Sequence, residues 1–110
     1  MIEIKSIDQI KGITAESKAA LIYFCNDTCA PCVALRPKVS ELVETQFPLV
    51  GLYFCNAVQL PEIAAEYGIF ASPTLLVYFE GKEYIRESKY ISISALASSI
   101  AKFYNMVFDQ

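Results

Sequence analysis

A chain of 110 residues has room for one domain of ordinary size, and 55% apolar against 19% charged residues marks it as globular with a sizeable core. Twelve acidic residues against nine basic ones leave a net charge of −3 with no basic run, which speaks against nucleic acid or an anionic membrane surface as the main partner. The absence of histidine removes Ser–His and Cys–His nucleophilic pairs, His-ligated metals and the commonest general base together.

Ile2 to Lys5 alternates apolar and polar, the pattern of a short half-buried strand. Ser6 followed by Gln9 is a capping-box pattern; it predicts a short helix that stops near Gly12, with Thr14 to Lys18 as a turn. Ala19 to Cys25 is a continuous apolar run of strand length, as in a strand covered by helices on both faces. Asn26, Asp27 and Thr28 then lead into a helix predicted over residues 30–46. There Leu35, Val39, Leu42 and Val43 fall at i, i+4, i+7 and i+8. Pro37 has no N–H to give the Val33 carbonyl, which predicts a kink and not a break.

Leu49 to Phe54 reads as a second fully apolar strand. Pro61 to Tyr67 reads as a short helix with Pro61 in its first turn and Gly68 just past its end. Thr74 to Phe79 is a third buried strand, joined through Glu80-Gly81-Lys82 to Glu83–Glu87, which alternates as an edge strand does. Ser92 caps a final helix whose Ile93, Leu96, Ala97, Ile100, Tyr104 and Val107 keep one face, with a frayed end expected over residues 105–110. The order β-α-β-α-β-α-β-β-α implies an α/β fold of three layers. Its mixed central sheet has about five strands, with helices on both faces. No repeat, low-complexity stretch or linker divides the chain, so residues 1–110 are expected to form a single domain. No apolar run approaches the roughly 18 residues of a membrane span, and Met1 to Lys11 lacks a signal-peptide pattern; a cytoplasmic location is expected.

The four cysteines are Cys25, Cys29, Cys32 and Cys55. In a cytosolic chain a close pair points to catalysis or metal binding and not to a structural disulfide framework. Cys29-Ala30-Pro31-Cys32 stands where an apolar strand and a short turn feed a helix N-terminus. A Cys29 at the N-cap faces unpaired backbone N–H groups, including that of Cys32, and the positive end of the helix dipole. Both favour the thiolate, so its pKa should fall below the ordinary value of about 8.5. Cys32 lies one turn inward and is better shielded. The expected chemistry is attack by Cys29 on a substrate disulfide, then attack by Cys32 on Cys29 to release the reduced substrate. Ser72-Pro73-Thr74 stands just before the third buried strand. A cis peptide there would turn backbone groups toward an incoming peptide, although only about 5–6% of X–Pro bonds are cis.

The strand Leu21-Ile22-Tyr23-Phe24, the Cys-x-Pro-Cys motif and Pro37 in its helix are followed by Tyr67-Gly68-Ile69, Ser72-Pro73-Thr74-Leu75 and Gly81. In this order and spacing they resemble the thioredoxin family over nearly the whole chain. The resemblance implies a thioredoxin fold and a protein-disulfide oxidoreductase that reduces its substrates. It implies no cofactor beyond the redox-active pair Cys29–Cys32, disulfide-containing proteins as substrates and a thioredoxin-reductase-type electron donor. Cys29 would be the nucleophile, Cys32 the resolving thiol and Pro73 a cis-proline facing them, with Thr28, Ala30, Pro31, Ser72 and Pro73 receiving the substrate. The chain also departs from the family. Thr28 replaces a Trp and Ala30 a Gly, Tyr23 stands where a buried acid is usual, and Phe54 stands for that acid's Lys partner. A Tyr with a reference pKa near 10 would be a poor proton shuttle for the resolving thiol. Lys89 stands for the Gly before the last helix, which would alter the docking groove.

Other readings are carried beside this one. Cys25, Cys29 and Cys32 spell C-x3-C-x2-C, the spacing of radical-SAM iron–sulfur enzymes, but those need a large barrel that this chain cannot supply. The four cysteines match the ligand count of a zinc site. Against it, Cys25 ends a strand and the pair flanks a proline at a helix start, and no metal is expected. Cys25 and Cys55 read as small buried hydrophobes at strand ends, with a second redox pair or an auxiliary thiol as the functional alternative. Tyr23 reads as core packing. The alternative to an enzyme is a partner-binding module whose Ser72–Pro73 groove holds its partner while redox chemistry is incidental.

Overall fold

The computed structural model describes residues 1–26 and 28–108, so Asp27 of the turn before the cysteine pair lies outside the described residues. Among these, five strands form one mixed sheet in the order β1-β3-β2-β4-β5: β1 Ile2–Glu3, β2 Ala19–Cys25, β3 Gly51–Asn56, β4 Thr74–Phe79 and β5 Lys82–Ser88. β1 and β2 run parallel to β3, while β4 is antiparallel to both β2 and β5. The helices α1 Ile7–Glu16, α2 Ala30–Gln46, α3 Pro61–Tyr67 and α4 Ile93–Phe108 follow the expected order.

β2 is the central strand, and all its residues are buried. Its side chains alternate between two cores. Leu21 and Tyr23 join Val39, Leu42 and Val43 of α2 and Leu96 and Ile100 of α4, with Leu75 and Val77 from β4. Ile22 and Phe24 face the other way, onto Ile10 of α1 and Ile63 of α3, with Cys55 and Leu76. The three-layer architecture therefore follows from a strand with no polar face.

Several boundaries differ from the sequence reading. α1 does not stop near Gly12 but runs on to Glu16, into the stretch expected as a turn, of which Ser17 and Lys18 remain outside the helix. Ser6 Oγ accepts the Gln9 N–H at 3.1 Å, and Gln9 Oε1 accepts the Lys5 N–H at 2.7 Å, which fixes the start. Ile10 and Thr14 then lie buried one turn apart, and the Thr14 hydroxyl meets the Tyr67 hydroxyl of α3 at 3.2 Å. Those contacts outweigh the cost of a mid-helix glycine, about 1 kcal/mol. β3 starts at Gly51, two residues later than expected, because Leu49 is exposed and Val50 is the residue that turns inward. Its first four residues are only half-buried, since its outer neighbour β1 is two residues long, against the four expected from the alternation. β5 is longer by one residue at each end than its alternating segment. α4 keeps its helix to Phe108 instead of fraying from Asn105: Tyr104 packs on Phe47 and Phe108, with ring centroids 5.2 and 4.8 Å apart. Residues 109–110 of that expected frayed end lie outside the described residues.

Candidate active site

Cys29 is the N-cap of α2, in extended conformation (φ −92°, ψ 102°), and its Sγ accepts the Cys32 N–H at 3.3 Å. Pro31 occupies the first turn, where its missing N–H removes no intrahelical bond. The two cysteines are joined by a disulfide with Cα atoms 5.2 Å apart. Cys29 is half-buried and Cys32 fully buried, so Cys29 is the more accessible residue of the pair. The approach to the pair is set by Asn26, whose Oδ1 accepts both the Thr28 N–H (3.0 Å) and the Thr28 hydroxyl (2.7 Å). Thr28 and Ala30 are exposed on either side of Cys29.

The Ser72–Pro73 peptide bond is cis. Two hydrogen bonds hold this segment. The Thr74 hydroxyl donates to the Ala71 carbonyl at 2.6 Å, and the Lys89 N–H donates to the Pro73 carbonyl at 2.8 Å. Pro31, Ser72 and Pro73 come together in a groove of about 380 Å³, together with Phe70, Lys89 and Tyr90. Thr28 and Ala30 are not among the residues lining it. Phe70 and Tyr90 escaped the sequence reading. Each lies in an irregular segment beside apolar residues, where composition does not separate an exposed ring from a packed one.

Tyr23 is fully buried, and its hydroxyl donates to the Cys32 carbonyl at 2.7 Å. Burial pushes its pKa up to about 12, with Cys25 adding to the rise and the Arg36 guanidinium opposing it. The phenol is therefore neutral at any physiological pH and engaged as a donor to backbone. This agrees with its reading as core packing and leaves it no part as a proton shuttle. Its cross-strand partner Phe54 carries the Arg36 guanidinium 3.7 Å above its ring, a stacked cation–π contact.

Cys25 and Cys55 lie outside the disulfide and are both buried, on opposite faces of the sheet: Cys25 in the α2/α4 core with Cys32, Cys55 in the α1/α3 core. Burial, helped by Cys25, Glu62 and Glu3, pushes the Cys55 thiol up to about 11 and keeps it protonated. Among the described residues, no three His, Cys, Asp or Glu side chains are grouped so that they could hold a metal ion. None of the described helices is long and apolar enough to cross a membrane.

Residues 5–102 match the family model described as Thioredoxin. A thioredoxin-like protein of Bacillus subtilis (strain 168), YdfQ, is 27% identical over 106 residues, covering 96% of this chain and 94% of the relative. A thioredoxin of Pyropia yezoensis is 32% identical over 83 residues, covering 76% of this chain and 78% of its own. Among solved structures, thioredoxin from Fasciola hepatica matches with a TM-score of 0.82 at 25% identity, covering 93% of this chain and 98% of that one. Thioredoxin from Plasmodium falciparum matches with 0.83 at 20%, covering 94% and 99%. Fold, relatives and a cysteine pair in disulfide contact at a helix N-terminus together define a thiol–disulfide oxidoreductase acting on proteins. The chain belongs to the thioredoxin family.

Proposed function

We propose that this protein, acting as a single domain, reduces disulfides in partner proteins with Cys29 as nucleophile and Cys32 as resolving thiol. The observation that carries this reading is the N-cap placement of Cys29, whose sulfur accepts the Cys32 N–H. In the reduced form the same amide and the helix dipole stabilise a Cys29 thiolate. That thiolate attacks one sulfur of the substrate disulfide, and the departing substrate thiolate takes a proton from water. Cys32 then loses its proton to solvent and attacks Cys29 Sγ. The second substrate thiolate leaves, two electrons have passed to the substrate, and the Cys29–Cys32 disulfide remains. Tyr23 holds its proton throughout, so no side-chain acid at that position assists the resolving step.

Pro31, Ser72 and Pro73 receive the substrate backbone in the groove, while Thr28 and Ala30 flank the nucleophile. The disulfide is the only redox group required, and a thioredoxin-reductase-type donor restores the dithiol in the cytoplasm. Cys29→Ser should abolish turnover and Cys32→Ser should trap mixed disulfides visible by mass spectrometry. Full disulfide-reducing activity in Cys29→Ser would overturn the reading. The exposed Phe70 and Tyr90 favour one alternative, a partner-binding module with incidental redox chemistry. A partner complex that persists when Cys29 and Cys32 are both serine would support it.

A further inference from the structure

The groove beside the cysteine pair is built in a way that disulfide exchange by itself does not require. Phe70 is 93% and Tyr90 96% exposed, while Phe47, Phe79, Tyr84, Phe103 and Tyr104 pack against one another's rings. Both exposed rings line the same groove, against Pro31 and the Ser72–Pro73 segment, and among the described residues Lys89 supplies the charge of its lining. That charge is positive in a chain of net charge −3. The backbone at Lys89 adds an independent observation. Its φ is 64°, in the left-handed region that glycine adopts freely and a residue with a Cβ does not. Its N–H is tied to the Pro73 carbonyl at 2.8 Å, so the side chain is referenced directly to the groove floor. A position whose conformation favours glycine thus carries a long cation, next to an exposed ring.

We propose that this groove selects partner proteins in which the attacked half-cystine lies in an extended segment carrying a large apolar or aromatic residue and a carboxylate. The apolar side chain covers Phe70 and Tyr90, and the carboxylate pairs with Lys89. The inference rests on the oxidoreductase reading above and names the substrate class of that same site. The two rings supply most of the affinity, because buried aromatic anchors dominate such contacts. The exposed ion pair supplies orientation and a preference of only about threefold to fivefold.

The test uses the reduced full chain and synthetic peptides with one intramolecular disulfide, identical except for Phe with Glu, Phe with Lys, or Ala with Glu beside the cysteine. Second-order rate constants are measured by rapid mixing and divided by the same variant's rate with hydroxyethyl disulfide. The wild type should favour the Phe–Glu peptide over Phe–Lys by about threefold to fivefold, and the preference should fade in 1 M salt. It should favour Phe–Glu over Ala–Glu by about tenfold. Lys89→Glu should reverse the charge preference, and Phe70→Ala with Tyr90→Ala should erase the aromatic one. Lys89→Gly should lose the charge preference while melting at a higher temperature, a divergence that a merely structural lysine would not produce. Equal rates for all three peptides, with hydroxyethyl disulfide still reduced, would overturn the groove proposal and leave the oxidoreductase reading standing. Failure to reduce hydroxyethyl disulfide would overturn both. A concentration-dependent dimer that Phe70→Ala abolishes would assign the face to a second copy of the chain and overturn the proposal as well.

Discussion

At the scale of single residues, Tyr23 and Cys55 show how burial decides chemistry. Tyr23 uses its hydroxyl on the Cys32 carbonyl, so Tyr23→Phe should cost about 1 kcal/mol, read as a drop of roughly 5 °C in melting temperature. Its pH–rate profile for disulfide reduction between pH 6 and 9 should match that of the wild type, because a phenol near 12 has no proton to exchange there. A shifted profile would make Tyr23 a proton carrier after all. Both groups also link stability to alkaline pH. Below the ordinary values of a free thiol and a free phenol, folded and unfolded chains hold the same protons, and the stabilisation is fully present. As pH rises, the unfolded chain releases these protons first, while the folded chain holds them to about 11 and 12. The oxidised protein should therefore lose melting temperature steadily between pH 9 and 11, and Cys55→Ala should flatten that decline. An equally steep decline in the variant would assign it to other groups.

At the scale of elements, α1 is the instructive case. Gly12 was the natural stopping point for its pattern, yet the helix continues for another turn because Ile10 packs into the core under the sheet and the buried Thr14 reaches Tyr67. A side chain at Gly12 would meet nothing within 4 Å, so Gly12→Ala should stabilise the protein by about 0.5–1 kcal/mol, seen as a higher urea midpoint. Destabilisation would mean that the glycine serves a constraint unconnected with helix propensity. The central strands, α2 with its internal proline and the cysteine pair at its start were all legible, because continuous apolar runs, helical spacing and Cys-x-Pro-Cys are local signals. The limits of β1 and β3 were not, since they depend on how far the two strands overlap. The partner of the Tyr23 hydroxyl and the exposure of Phe70 were hidden for the same reason. Each is set by how neighbouring elements pack once the sheet has formed, even between Tyr23 and Cys32, which are only nine residues apart.

At the scale of the whole molecule, the sheet must end without inviting another chain. One edge is the two-residue β1, and the other is β5, whose Lys82, Glu83, Arg86 and Glu87 put charge along the open side; both are ordinary protections against edge-to-edge pairing. Arg86 also ties that edge to the layer beneath. Its guanidinium donates to the Tyr67 carbonyl at 2.8 Å and the Gly68 carbonyl at 3.0 Å while pairing with Glu83, so it closes the C-terminus of α3 from outside the helix. Arg86→Met should cost about 1–2 kcal/mol by denaturant titration, from the two carbonyls left without their donor more than from the exposed ion pair. Glu83→Gln, which weakens only the pair, should cost well under half of that.

Cys55 has one more consequence. Its sulfur sits behind α1 and α3 with no surface open to solvent, on the side of the sheet away from the disulfide. A thiol reagent reaches it only when that layer lifts, so with reclosing fast its rate of alkylation in the native protein measures the fraction of molecules open at any moment. In a chain without tryptophan, this single atom is a built-in gauge for the breathing of the fold.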